Sequence, residues 1–161
     1  MFRLVVFCAL LVGIHGQTTQ VSTCTSHIGD LPLNTYIEGC DSPPCILPQL
    51  QDVVMHIVFR APRTMRTMTT LATAYLSGNI ITIPIPYDLG ENSITCNFLN
   101  NSYCPVLEGE VLQYTLKMFI EEFFPVGTSA PIEFRVVGET NSDPVFCIRV
   151  PIIIAPAVDS A

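Results

Sequence analysis

Alternation of apolar and polar residues with a period of two is the feature of this sequence that most restricts its fold. Successive side chains of an extended strand point to opposite faces, so this pattern gives a strand one apolar face and one polar face. The pattern occurs in five segments, residues 50–60, 81–87, 111–124, 132–137 and 147–154. Turn signals separate these short segments. Together they predict an all-β fold, an antiparallel sandwich of immunoglobulin-like size with about seven strands.

Proline helps to place one of these strands in the sheet. The chain has 13 prolines, which argues against long helices. Pro84 and Pro86 lie on one side of the segment 81–87. Because proline has no N–H donor, this strand is predicted to be an edge strand. Residues 67–87 carry no charge, but these prolines and the turn at Ser77-Gly78-Asn79 predict two strands there rather than a membrane helix.

The first residues have the features of a secretory signal peptide. Arg3 precedes an apolar run over residues 4–12, which is too short to cross a bilayer. Gly16 is a small residue suited to cleavage, and an uncleaved anchor is the alternative. We therefore expect a signal peptide at 1–16 and one mature domain at 17–161. Its predicted location is extracellular, or the lumen of a lysosome.

Six of the seven cysteines would remain after such cleavage, the even number that a disulfide framework requires. They are Cys24, Cys40, Cys45, Cys96, Cys104 and Cys147. Cysteine counting alone leaves fifteen possible pairings open. Zinc binding is the competing use of clustered cysteines, but it typically uses C-x2-C pairs in a reducing compartment. We therefore expect disulfides and no metal site.

The charged residues exclude two function classes. The net charge is −7, with 7 basic residues against 14 acidic ones, so the chain lacks the basic surface that nucleic-acid binding needs. Only His27 and His56 remain in the mature chain. Asp52 lies about 13 Å from His56 along the strand, too far for a hydrogen bond. We therefore expect no enzymatic activity and no cofactor.

The cysteines and several proline motifs also occur in a recognisable order. They are Cys24, Cys40-Asp-Ser-Pro-Pro-Cys45, Ile83-Pro84-Ile85-Pro86, Cys96, Cys104-Pro105, Phe124-Pro125 and Cys147-Ile-Arg-Val-Pro-Ile. In this order they resemble the Niemann–Pick type C2 family, secreted lipid-recognition proteins with an ML domain that are related to the group 2 mite allergens. The resemblance implies the disulfides Cys24–Cys147, Cys40–Cys45 and Cys96–Cys104. It also implies two sheets that separate to admit a lipid.

The resemblance and the alternation together predict the side chains that line this lipid pocket. The predicted lining residues are Met55, Ile57, Ile81, Ile83, Leu112, Ile120, Phe124, Pro125, Phe134, Val136, Val150 and Ile152. Phe124 and Pro125 are expected near the mouth. The family typically has Tyr at the position of Phe124, an aromatic Tyr at that of Leu112 and a Trp at that of Val136. These departures leave sterol specificity open.

The predicted function is that of a secreted, monomeric lipid carrier. It would hold one sterol, fatty acid or similar hydrophobic molecule and release it to an acceptor membrane or a receptor. The alternative is a secreted lipid-sensing module in innate immunity or chemosensation, without a transport role. A glycan is predicted at Asn100, because Asn100-Asn101-Ser102 is the only N-x-[ST] sequence and lies inside the loop between Cys96 and Cys104.

Overall fold

Two β-sheets face each other in the computed structural model, which describes residues 16–140 and 144–159. Within these residues the strands are β1 (Ser22–Thr23), β2 (Asn34–Ile37), β3 (Cys45–Pro48), β4 (Asp52–Arg60), β5 (Thr69–Ser77), β6 (Thr82–Tyr87), β7 (Val111–Phe119), β8 (Ser129–Val137) and β9 (Pro144–Ala155). Two 3₁₀ turns, Gly90–Ser93 and Thr95–Phe98, follow β6. The predicted signal peptide, apart from Gly16, lies outside the described residues.

The order of the strands confirms the predicted all-β sandwich. The larger sheet has the order β1-β9-β8-β5-β6, and the smaller sheet has the order β2-β4-β7. All these pairs are antiparallel, whereas β3 joins β9 in parallel with Cys45 opposite Ile152. The described residues form nine strands, two more than the predicted seven, and two short strands account for this difference. These are β1 and β3, which both lie along β9.

The predicted apolar faces form the core between the sheets. Met55 and Ile57 of β4 lie opposite Leu116 and Tyr114 of β7, and all four side chains are buried. The alternation of β7 stops earlier than predicted, because the strand ends at Phe119 and the chain then turns.

The strand that contains two prolines lies at the edge of the larger sheet, as predicted. Strand β6 pairs with β5 alone, with Pro84 opposite Tyr75 and Pro86 opposite Thr73. The turn between the two strands is closed by the N–H of Gly78, which donates to the carbonyl oxygen of Ile81 at 2.8 Å. None of the helices in the described part of the chain is long and apolar enough to cross a membrane.

The three predicted disulfides are confirmed. Cys24–Cys147 ties the N-terminal segment to β9, across a sequence separation of 123 residues. Cys40–Cys45 closes the turn between β2 and β3, and Cys96–Cys104 closes the loop before β7. Such bonds form in an oxidising compartment, which agrees with the predicted extracellular or lysosomal location.

Candidate ligand pocket

A cavity of about 580 Å³ opens between the two sheets at one end of the sandwich. Its buried wall is aliphatic and comes from both sheets. These buried wall residues are Met118, Ile120, Ala130, Ile132, Ile152 and Ile154. Half-buried Ala74 and Leu76 of β5 extend this wall. Because strand alternation turns these side chains inward from facing sheets, they enclose a space with hardly any polar surface.

Small side chains explain why the cavity lies at this end. Elsewhere, large groups fill the space between the sheets. Phe59 and Phe146, for example, pack with their ring centroids 5.0 Å apart. The larger sheet instead presents Ala74 and Ala130 at inward positions beside the cavity. Protein cores otherwise pack to near-crystalline density, so a gap of this size beside two inward alanines is a candidate ligand site.

Aromatic side chains and a backbone turn form the rim of the cavity. The Tyr87 hydroxyl donates to the carbonyl oxygen of Phe119 at 2.7 Å, a bond between the two sheets. The Phe124 ring lies 5.7 Å from that of Tyr87 and 4.6 Å from that of Phe123. Gln49 Nε2 donates to the carbonyl oxygen of Phe124 at 2.6 Å and so fixes the turn that carries these rings.

The rim also carries the charged side chains of the site, Asp88 and Glu121. Burial raises the pKa of Tyr87, and the carboxylates of Glu121, Asp88 and Asp52 raise it further in that order. The negative potential of these acids therefore reaches the opening of the cavity.

Four of the twelve predicted lining residues border this cavity, namely Ile120, Phe124, Pro125 and Ile152. Alternation along β7 does not place Phe124, because the strand ends at Phe119. The turn after the strand places the ring at the rim. Met55, Phe134 and Val150 instead border a separate void of about 10 Å³ deeper in the core.

The other five predicted lining residues lie elsewhere, and their placement corrects the prediction. Ile57, Leu112 and Val136 are almost fully buried in the filled part of the core, away from the cavity. Ile81 and Ile83 lie at the exposed end of the β5–β6 hairpin, where 64% and 49% of their surfaces face solvent. Alternation identifies the inward face of a strand but not the point along it where the sheets separate.

Several lining residues were missed. They are Ala74, Leu76, Ile85, Pro86, Tyr87, Asp88, Met118, Glu121, Phe123, Thr128, Ala130, Ile132 and Ile154. The inward Ala74 and Ala130 were only a partial signal, because Ala72 is also an inward alanine of β5 and lies in the filled core.

A cluster of polar side chains around Glu133 lies on the outer face of the larger sheet and holds the N-terminal segment there. Glu133 is only 2% exposed. Its Oε1 accepts from the backbone N–H of Thr25 at 2.8 Å and from Arg149 Nη1 at 2.7 Å. Its Oε2 accepts from the Tyr75 hydroxyl at 3.1 Å, with His27 Nδ1 at 3.5 Å.

The surroundings of Glu133 determine its charge state. Burial alone would raise its pKa, but the hydrogen bonds from Thr25, Arg149, Tyr75 and His27 outweigh burial and lower the pKa to about 2. The sulfurs of Cys24 and Cys147 lie nearby, but both belong to a disulfide and offer no thiolate to a metal ion. The cluster therefore holds the N-terminal segment around Thr25 against the outer face of the larger sheet.

His56 and Asn100 lie on the outer face of the smaller sheet, away from the cavity. His56 Nε2 lies 2.7 Å from Glu38 Oε1, a partner that the sequence did not reveal, and His56 Nδ1 lies 3.4 Å from Thr115 Oγ1. The exposed Asn100 donates through Nδ2 to Thr115 Oγ1 at 2.8 Å.

Comparison with known proteins identifies the domain. Residues 18–154 match the family profile of the ML domain. The fold is similar to a crystal structure of a Niemann-Pick type C2 protein from Japanese carpenter ant, with a TM-score of 0.68 and 18% identity over 84% of this chain and 98% of that one. Chicken MD-1 complexed with lipid IVa aligns with a TM-score of 0.46 and 11% identity, over 80% of this chain and 83% of that one. None of the curated proteins matches the sequence.

Proposed function

The chain belongs to the ML-domain family, and from that premise we propose that it is a secreted, monomeric carrier of a single hydrophobic molecule, of the size of a sterol or a fatty acid. The observation that supports this proposal is the aliphatic cavity of about 580 Å³ between the sheets. Its volume lies within the range of about 300–1,000 Å³ that is usual for small-molecule sites.

The physical basis of binding would be the removal of apolar surface from water. Burial of apolar surface contributes about 25 cal/mol per Å². A ligand that buries about 400 Å² therefore gains about 10 kcal/mol, from which the loss of motional freedom is subtracted. No covalent step is needed, and the ligand leaves unchanged.

Delivery to an acceptor membrane or a receptor completes the proposal. Large apolar side chains surround the mouth and face solvent. Phe123 is 72% exposed and Val126 is 52% exposed, and Ile85 is 41% exposed on β6. Such a concentration of exposed apolar groups is typical of an interaction surface. It would let the mouth contact a bilayer while the ligand leaves.

Secretion and glycosylation belong to the same proposal. Cleavage after Gly16 would release a chain that begins at Gln17, and the exposed side chain of Asn100 is open to an oligosaccharide. The intact mass of the secreted protein, before and after glycosidase treatment, tests both points.

Native mass spectrometry of the secreted protein, followed by extraction of the bound molecule, tests ligand binding directly. A fluorescent sterol then serves as the probe for variants. Ala130→Phe fills the cavity and should abolish probe binding, whereas Ser129→Phe adds the same ring at an exposed neighbouring position of β8 and should leave binding intact. Equal binding by both variants would contradict the proposed site.

Transfer of the probe between vesicles separates a carrier from a sensor. A carrier exchanges its ligand with vesicles. Val126→Ser, at an exposed residue that does not line the cavity, should slow this exchange while it leaves equilibrium affinity nearly unchanged. A sensor would instead gain affinity for a protein partner when it is loaded.

A further inference from the structure

The rim of the cavity is acidic on two sides. Asp88 directly follows β6 of the larger sheet, and Glu121 lies two residues after the end of β7 of the smaller sheet. Both residues line the same opening. The two carboxylates therefore come from opposite sheets and flank whatever occupies the mouth.

The basic side chains lie elsewhere in the molecule. Among the described residues, no Lys, Arg or His lines the cavity. Arg149 is bound to Glu133 on the outer face of the larger sheet. Arg60 donates to the carbonyl oxygen of Gly109 at the opposite end of the sandwich. Lys117 precedes the inward Met118 and so points to the outer face of β7.

The polar end of an amphiphilic ligand has to lie at this rim. The buried wall, with Met118, Ile132 and Ile152, offers aliphatic groups only. A polar headgroup placed among them would lose its hydrogen bonds to water without replacement, which is strongly unfavourable. The hydrocarbon part therefore lies inside, and the headgroup remains at the mouth between Asp88 and Glu121.

From this arrangement we infer that the cavity accepts amphiphiles with an uncharged or cationic headgroup and disfavours those with a carboxylate. The inference rests on the proposed function and narrows its ligand class from sterols and fatty acids to sterols, alcohols and amines. Two like charges near a partly dry opening repel an anion more strongly than they would in bulk water. Burial is the main cause of the raised pKa of Tyr87 at this rim, and the carboxylates of Glu121 and Asp88 add to it.

Three ligands with the same hydrocarbon chain test the inference. Hexadecanoic acid, hexadecanol and hexadecylamine compete at pH 8 and low salt with the fluorescent sterol, each below its micelle concentration. We expect the alcohol and the amine to displace the probe at concentrations at least about tenfold lower than the acid does. Added salt should narrow the gap between acid and alcohol, because it screens the repulsion.

Neutral variants identify the charges responsible. Asp88→Asn combined with Glu121→Gln should improve binding of the acid several-fold relative to binding of the alcohol. Each of the two single variants is also compared with Glu108→Gln, which likewise removes one negative charge, but from the exposed loop before β7 at the other end of the sandwich.

The outcomes separate this inference from the proposed function. Equal displacement by acid and alcohol, with normal binding of the sterol probe, overturns the headgroup inference alone. The same holds if the two single variants and the Glu108 variant alter binding of the acid equally. If the probe and all three compounds fail to bind, the proposed function is wrong and the headgroup inference is wrong with it.

Discussion

The hydroxyl of Tyr87 and the carbonyl oxygen of Phe119 are 2.7 Å apart, and this bond links the edge strand of one sheet to the other sheet beside the mouth of the cavity. The sheets diverge at this end, where the cavity lies between them. The bond therefore limits how far β6 can move away from β7.

Tyr87→Phe should loosen the mouth. The change keeps the ring that packs on Phe124 and removes only the bond to Phe119. The loss of one hydrogen bond should lower the free energy of unfolding by about 1 kcal/mol. Stopped-flow dissociation of the fluorescent sterol should show a faster release rate. Tyr103→Phe, at a residue that is 80% exposed, is the control, and an equal change in both variants would contradict the role of Tyr87.

Met118→Ala should extend the cavity inward. Met118 and Ile152 border both the cavity and the void of about 10 Å³ below it, so a shorter side chain at 118 joins the two spaces. Ligands with longer hydrocarbon chains should then bind more tightly, at a cost in stability of about 2 kcal/mol. A chain-length series of alcohols measures the shift. Leu116→Ala is the control on the same face of β7, and it should lower stability without changing chain-length preference.

Phe124→Trp should obstruct the mouth while the fold survives. The Phe124 ring is half-buried at the rim, so its truncation in Phe124→Ala should lower the free energy of unfolding by only about 1 kcal/mol. In contrast, Phe59→Ala in the filled core should cost about 3–5 kcal/mol. Thermal unfolding and probe displacement provide the two measurements. Phe124 is an ordinary core residue if Phe124→Ala unfolds the protein while Phe124→Trp binds the probe normally.

The Glu133 cluster should make stability depend on pH in acid solution. The pKa of Glu133 is lowered from 4.5 to about 2 in the folded protein, so its stabilising contribution is complete above pH 4.5 and is lost as the pH falls through 4.5 toward 2. The contribution amounts to about 2 kcal/mol after allowance for solvent screening.

Unfolding of the wild type and of Glu133→Gln between pH 7 and pH 2 measures this contribution. The variant should be less stable at neutral pH and show a flatter profile below pH 4.5. Glu122→Gln, which changes an exposed carboxylate, should keep the wild-type profile. Parallel curves for wild type and Glu133→Gln would show that Glu133 is not the titrating group.

The three disulfides should differ in their contribution to stability. The Cys24–Cys147 bond spans 123 residues and the Cys96–Cys104 bond spans 8. The chain-entropy relation assigns about 5 kcal/mol to the first and about 2.5 kcal/mol to the second. Urea unfolding of the two double-alanine variants tests the ranking. Labelling of the denatured, unreduced wild type should find no free thiol in the mature protein.

The architecture was predictable from the sequence because the residues that alternate as apolar along each strand are also the residues that are buried between the sheets. The inward residues of β4 and β7 alternate strictly, and these faces are buried. Pro84 and Pro86 identified β6 as an edge strand, because a proline has no N–H that could donate to a second neighbouring strand. The disulfide pairing, in contrast, came from the family resemblance and not from the residues alone.

The exact position of the cavity was not predictable in the same way. Ile57 and Ile120 are both inward and buried, yet only Ile120 borders the cavity. An inward residue borders the cavity only where the two sheets are far apart. The alternation within one strand does not determine the distance between the sheets. The burial of Glu133 on the outer face was not predictable either. It depends on residues 24–29, which lie more than one hundred positions away in the sequence.

The Cys24–Cys147 bond also has a consequence for biogenesis. The ribosome makes the chain from its N-terminus, so Cys24 exists as a thiol while 123 further residues are added before its partner appears. At about 5–20 residues per second this interval lasts for several seconds or more. Cys40 and Cys45 are added 16 and 21 residues after Cys24, long before Cys147. Early closure of the Cys40–Cys45 loop would remove the two cysteines nearest to Cys24 as competing partners.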